Sequence, residues 1–222
     1  MSRPPATAVP DRRQLLLQHA EDAFGEFGYA GARIQEIAER AGIRRPSLLH
    51  HFADKETLYA QVVAGIVGEL LQRVERSQAN SPSGADAEGG MDAGTPSGPA
   101  RIETVVMVWV DFLVERPNAA RVLLRHMIDP LTLPDIAASV AQLLSSIQEA
   151  IDLGVARGEN KEQDAAEFAL VLASTSLVWV STRGAVEGAL GMDTLSPEKI
   201  SSHRELLRQL ARQLLGAVTA LR

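Results

Sequence analysis

GYAGARIQEIAERAGIRRPSLLHHF, residues 28 to 52, reads as two short helices joined by a glycine turn. Ile34, Ile37, Ala38 and Ala41 recur at helical spacing. Gly42 supplies the residue past a helix end that tolerates positive φ, and Ile43 plugs the corner between the helices. Pro46 opens the second helix, because its missing N–H falls among the unpaired donors of a first turn and its fixed φ suits that place. Leu48 and Phe52, four apart, face inward, which leaves Ser47, His50 and His51 to face out. A helix pair of this shape is suited to a DNA groove.

These residues resemble the TetR family of transcriptional regulators. Leu16, Ala20, Ala23, Phe24 and Phe27 resemble that family's first helix, and Gly28-Tyr29 its helix-ending pair. Ile37 to Ile43 resemble the second helix and turn. Ser47-Leu48-x-His50-His51-Phe52-x-x-Lys55-Glu56 resembles the recognition helix and the start of the fourth helix. The likeness covers residues 12 to 65 and beyond that is architectural. It implies an all-α fold of about nine helices: a flexible tail over 1–11, a helix-turn-helix DNA-binding domain over 12–57, and a ligand-binding and dimerisation domain over 58–222. The DNA contacts it implies are Arg33, Gln35, Arg44, Arg45, Pro46, Ser47, Leu49, His50, His51 and Lys55. Three departures stand out. Ala32 and Arg33 replace the Ser or Thr cap usual before the second helix, a loss of about 0.5–2 kcal/mol. Leu49 stands where a tyrosine often follows the recognition-helix leucine, and Arg44 and Arg45 together make the turn more basic than usual.

Composition narrows the alternatives. The 222 residues are 45% hydrophobic, enough for a full core, and contain no cysteine, which excludes disulfides and thiolate metal sites. Met1 to Pro10 has no apolar run, so neither a signal peptide nor an anchor is expected there, and a cytoplasmic location is the expectation. The greasiest segment, Ile102 to Leu113, is interrupted by Glu103, Thr104 and Asp111 and is too short to span a bilayer. The net charge of −6 weighs against nucleic acid on its face, yet residues 1–57 hold eight basic and eight acidic residues, and all of the excess negative charge lies beyond them. The five histidines, His19, His50, His51, His126 and His203, are scattered, with no HExxH, no GxSxG and no phosphate-binding glycine loop, so an enzyme is a remote alternative. No cofactor or metal is expected.

Past residue 57, Leu58, Tyr59, Val62, Val63, Ile66, Val67, Leu70 and Val74 mark a long amphipathic helix. Residues 77–100, with five glycines, three prolines and Met91 as the one large apolar residue, read as a disordered loop. Helical periodicity then returns over about 101–115, 118–128, 133–157, 162–190 and 197–220, with Ser196 as cap and Pro197 in the first turn of the last. No strand pattern occurs.

Two stripes, Phe168, Leu172, Thr175, Trp179, Arg183 and Val186 on one helix and Leu207, Leu210, Leu214, Val218 and Leu221 on the next, can pack within the subunit or against a second copy. The resemblance implies the second: a homodimer whose interface includes Phe168, Leu172, Trp179, Arg183, Leu207, Leu210, Leu214 and Val218, matching a palindromic double-stranded operator. Met107, Trp109, Phe112, Leu123, His126, Met127, Ile147, Thr175, Ser176, Trp179 and Arg183 are candidates for a ligand cavity, with Val108, Arg125, Leu143 and Val178 beside them. Core packing alone accounts for any one of the apolar members. So few polar groups suit a mostly apolar small-molecule effector. The function expected is a repressor released from its operator by that effector; the alternative is a DNA-binding regulator, an activator among the options, that needs no small molecule.

Overall fold

Apolar residues spaced three and four apart recur along the chain, and each such stretch folds as a helix that turns its stripe toward one shared core. The computed structural model describes residues 12–79, 96–128 and 134–216. Among them are ten helices and no strand: α1 (Arg12–Gly31), α2 (Ile34–Arg40), α3 (Arg45–His51), α4 (Lys55–Ala79), α5 (Gly98–Glu115), α6 (Pro117–Ile128), α7 (Pro134–Ala156), α8 (Ala165–Ser181), α9 (Arg183–Leu190) and α10 (Pro197–Leu215). No single helix among the described residues is long and apolar enough to cross a membrane.

The expected loop over 77–100 is shorter than its composition suggested. Residues 77–79 complete α4, and Gly98, Pro99 and Ala100 are the first turn of α5. Pro99 suits that turn, and the Ser97 hydroxyl accepts the Ala100 N–H at 3.3 Å. The expected helix over 162–190 is two helices, bent by 61° at Thr182. The Thr182 hydroxyl donates to the Val178 carbonyl at 2.7 Å, and Arg183 grips Asp193 at 2.7 and 2.8 Å, which draws α9 back across the chain. That break accounts for ten helices rather than nine. Ser196 stands at the start of α10 but its side chain makes no capping bond. Asp54 and Asp164 do cap, accepting Thr57 N–H at 2.7 Å and Glu167 N–H at 2.8 Å. The proposed tail at 1–11 and loop residues 80–95, with Val218 and Leu221, lie outside the described residues.

The helix-turn-helix segment and the rest of the chain are not separately packed. One continuous core runs from Leu16, Phe24, Leu48 and Phe52 through Val63 and Ile66 of α4 to Phe112, Ile151, Leu177 and Leu207. Gly25 lets α1 lie directly on α6, since a Cβ there would meet the Asn118 Cβ at 2.8 Å. Arg116, between α5 and α6, bridges the joint ionically by binding both Glu21 of α1 and Glu69 of α4. Arg73 extends the network to Glu69 at 2.7 Å and Glu115 at 2.6 Å, and both guanidinium groups lie over the buried Phe112 ring. Burial pushes the Glu21 carboxyl above the usual carboxylate range against the pull of Arg116.

Arg116→Met should therefore strand Glu21 and lower stability by about 2–3 kcal/mol, somewhat less than for a fully buried pair because water reaches part of Arg116. A urea titration reads this; an unchanged midpoint would show the network to be ornamental. His203, only 5% exposed, stacks on Trp179 with rings 3.9 Å apart and 3° from parallel, and burial lowers its pKa to about 4. The unfolded chain then takes up the proton near 6.5 while the folded chain does not, so this contribution is present above pH 6.5 and is lost as pH falls toward 4, by roughly 3 kcal/mol. His203→Phe keeps the stack and should flatten the stability profile between those pH values.

Candidate nucleic-acid interface and apolar cavity

The two-helix reader forms as its sequence dictates. Gly42 adopts φ +67°, its N–H bonds Glu39, and the Ile43 N–H reaches the Ala38 carbonyl at 2.9 Å, closing the turn. Ile37, Ala38, Leu48 and Phe52 are buried beneath it. Arg33 precedes α2 without any side-chain capping bond, so packing alone holds that end. Helix α3 begins at Arg45, one residue before Pro46, and presents Arg45, Ser47, His50 and His51 to solvent beside Arg44. Neither Arg44 nor Arg45 has an ion-pair partner among the described residues. By contrast Arg40 is bound to Glu26 at 3.0 Å, and Arg33 lies 3.6 Å from Glu36. Within the two-helix reader, Arg44 and Arg45 are thus guanidinium groups free to meet a phosphate or a guanine edge.

Three expected contacts sit differently. Leu49 is half-buried, and Gln35 spends its amide on Glu39 at 2.6 Å. Lys55 donates to the Ala30 carbonyl at 3.2 Å and lies 4.8 Å from the centre of the Tyr29 ring, with burial lowering its pKa. Its ammonium therefore pins the end of α1 to the start of α4. An exposed lysine was the natural reading of the motif, because nothing local in the sequence announces the Tyr29 face.

Behind the reader, helices α4 to α8 enclose a cavity of about 330 Å³, within the usual size range for small-molecule sites. Of the expected lining residues, Trp109, Leu123, His126, Met127 and Ile147 are there, with Leu143. Six are not. Met107 faces Arg208 of α10, with its sulfur 3.5 Å from the guanidinium, and Phe112 is sealed under Arg73 and Arg116. Thr175 and Ser176 turn their hydroxyls to the Val171 and Leu172 carbonyls of their own helix at 2.8 and 2.9 Å. Trp179 stacks on His203, and Arg183 holds Asp193. Nor does Arg125 enter the cavity: it donates to the Phe24 carbonyl at 2.9 Å and the Glu26 carbonyl at 3.4 Å, clasping the end of α1. The wall that sequence reasoning missed is α4, whose Val63, Val67, Leu70 and Val74 face the space. Their stripe was visible, but a stripe does not say whether it meets side chains or a void. Tyr59, one turn before Val63, sits 6.0 Å from the His126 ring and 5.0 Å from Phe24, so the cavity wall abuts the aromatic cluster of the DNA module.

The expected dimer face also divides. Phe168, Leu172 and Leu207 are buried in the chain's own core, and Leu210 and Leu214 lean against it. The helical period explains this, since the apolar stripe of α8 and α10 that reads most clearly is the inward one. Leu170 and Val178 on α8 and Leu206 on α10 are instead the large apolar residues left exposed, at 56%, 47% and 56%. The inward-facing side of α10 is ionic as well as apolar: Arg204 binds Asp111, while Arg208 and Arg212 bind Glu103. No cluster of metal-ligating side chains occurs among the described residues.

Comparison with known proteins agrees with this arrangement. Residues 16–62 match the family model for bacterial regulatory proteins of the tetR family. The chain is 40% identical over 60 residues to the HTH-type transcriptional regulator RutR of Escherichia coli (strain K12), covering 27% of this chain and 28% of that protein. It is 28% identical over 141 residues to the HTH-type transcriptional activator FasR of Mycolicibacterium smegmatis, 64% of this chain and 57% of that one. The chain thus spans from about a quarter to little more than half of these curated relatives. The likeness in fold extends over most of the chain: FadR from Bacillus subtilis, solved in complex with stearoyl-CoA, superposes with a TM-score of 0.65 at 19% identity, over 87% of this chain and 96% of that one. Residues 16–62 thus carry the helix-turn-helix sequence of the tetR family, and the chain shares its fold with FadR.

Proposed function

We propose that this chain is a transcriptional regulator that binds a palindromic operator in double-stranded DNA as a homodimer and is released, as a repressor, when a mostly apolar small molecule fills the cavity. It acts in the cytoplasm and carries out no catalytic step. The observation that carries the reading is the continuity of one helix: α4 begins beside the reader at Lys55 and lines the cavity as far as Val74. At 1.5 Å per residue its 25 residues span roughly 37 Å, and its neighbour α6 places the α1-clasping Arg125 next to the cavity residue His126. A ligand that fits one arrangement of α4 and α6 better than another shifts the angle of the reader, and it does so only by its differential affinity for the two states. In a dimer whose two α3 helices must meet half-sites about 34–36 Å apart, a small rotation misplaces one of them. Arg44 and Arg45 supply phosphate or base contacts, and Ser47, His50 and His51 the remaining groove face.

The name of FasR, an activator, favours one second reading, in which the ligand-bound or ligand-free dimer recruits rather than blocks transcription. Selection of bound sequences from a random DNA pool, followed by a reporter fused to the selected operator, separates the two by the sign of the effect.

Two expected outcomes follow from the interface. Arg45→Ala with His50→Ala should cost about 1–3 kcal/mol of operator affinity per residue that reads a base, while circular dichroism and dimer mass stay unchanged because both side chains are exposed. A parallel loss of helicity would assign them a structural role. For assembly, Val178→Glu with Leu206→Glu should raise the dimer dissociation constant about a hundredfold or more by placing unpaired charge in an apolar contact. Light scattering checks it; a dimer that persists would move the interface elsewhere.

A further inference from the structure

The cavity holds two buried polar atoms without a partner. Among the described residues Trp109 Nε1 and His126 Nδ1 find no hydrogen-bond partner, although both side chains form part of the wall. An indole N–H can only donate, and a neutral imidazole offers one donor and one acceptor. A buried donor left unmade is more costly than its bond is worth when made, so a molecule bringing the missing acceptor gains disproportionately. Every other described side chain of the wall is an Ala, Val, Leu, Ile, Phe or Met, and none carries charge. Arg125, the cation adjacent to His126 in the chain, is committed to the carbonyls of α1. Burial holds His126 neutral by lowering its pKa. The rim is apolar too: Met127, Val140 and Leu170 belong to the wall and are exposed.

Resting on the ligand-binding reading above, we propose that the cavity selects uncharged apolar molecules bearing one hydrogen-bond-accepting carbonyl, such as a ketone, ester or lactone, and that Trp109 and His126 recognise that oxygen. An ionised carboxylate entering the same space sheds its water and meets no cation, which is strongly unfavourable. The phosphates of an acyl-CoA likewise find no positive side chain along the described walls. The fold is shared with a protein solved with stearoyl-CoA, but the chemistry of these walls points to a different headgroup.

The test compares four probes on the full-length protein at pH 7.5: 2-undecanone, decanoate, decanoyl-CoA and n-undecane. Binding is read by tryptophan fluorescence and by the rise in Tm that any ligand of the native state produces. The expected order places 2-undecanone first, with decanoate and decanoyl-CoA at least tenfold weaker. Trp109→Phe and His126→Phe should each weaken 2-undecanone about three- to tenfold and leave n-undecane unchanged, which also shows that the cavity has survived the substitution. Tighter binding of decanoate or decanoyl-CoA overturns the neutral-carbonyl assignment while leaving a ligand-binding regulator in place. Equal losses for ketone and alkane overturn the roles of Trp109 and His126. If none of the four moves fluorescence or Tm, the cavity is no ligand site and both readings fall together.

Discussion

Arg116 is the residue on which the two halves of this molecule depend for their fixed relation. It stands at the junction of α5 and α6, with its guanidinium shared between a carboxylate of the DNA-reading module and a carboxylate of the long helix α4, over the face of a fully buried phenylalanine. Each ingredient alone is weak: an exposed ion pair contributes little, and a cation over a ring contributes about 0.5–2 kcal/mol. Their combination is different because Glu21 is nearly sequestered from water and has no comparable alternative partner among the interactions described. The geometry of the joint is thereby specified, since a buried charge tolerates few arrangements.

The same economy governs the positive charge of the whole chain. Most arginines whose partners are seen are tied down inside the fold, Arg73 and Arg116 around Phe112, Arg204, Arg208 and Arg212 along α5, Arg183 on Asp193, Arg125 on backbone carbonyls. Against that background the two unpaired arginines at the start of α3 are conspicuous. A chain with net charge −6 need not be basic overall to meet a polyanion; it needs uncommitted cations on the face that meets it, as at Arg44 and Arg45, and the acidic remainder lessens indiscriminate attraction to DNA.

Much of this was legible from residue spacing and side-chain chemistry. The turn at Gly42, the inward Leu48 and Phe52, the missing cap at Arg33 and the stripe of α4 are local properties, and local patterns express them directly. What failed to show were properties of pairs distant in sequence. That Lys55 would turn to Tyr29, that Arg125 would reach back about a hundred residues to α1, and that Phe168 and Leu207 would be consumed by the subunit's own core all depend on which faces meet. The cavity illustrates the limit. Trp109 and Phe112 are three residues apart on one helix, yet one borders a void and the other is covered by two guanidinium groups. The break at Thr182 was hidden because no proline marks it and Gly184, two residues on, is itself helical; a hydroxyl together with a remote aspartate makes the bend.

The clasp made by Arg125 has an evolutionary corollary. It holds main-chain oxygens, those of Phe24 and Glu26, and main-chain oxygens are present whatever side chains α1 carries. The grip between α6 and α1 is therefore largely indifferent to the sequence being gripped. A lineage could exchange the first fifty or so residues for those of a relative with another operator preference and keep this latch, provided the incoming helix brought an acidic residue at the place of Glu21 and a small one at the place of Gly25. The latch asks for main-chain oxygens and room rather than for particular side chains, while Leu16, Phe24 and Gly28, where a Cβ would lie 3.2 Å from the Arg125 guanidinium, set how closely an exchanged helix must copy the old one.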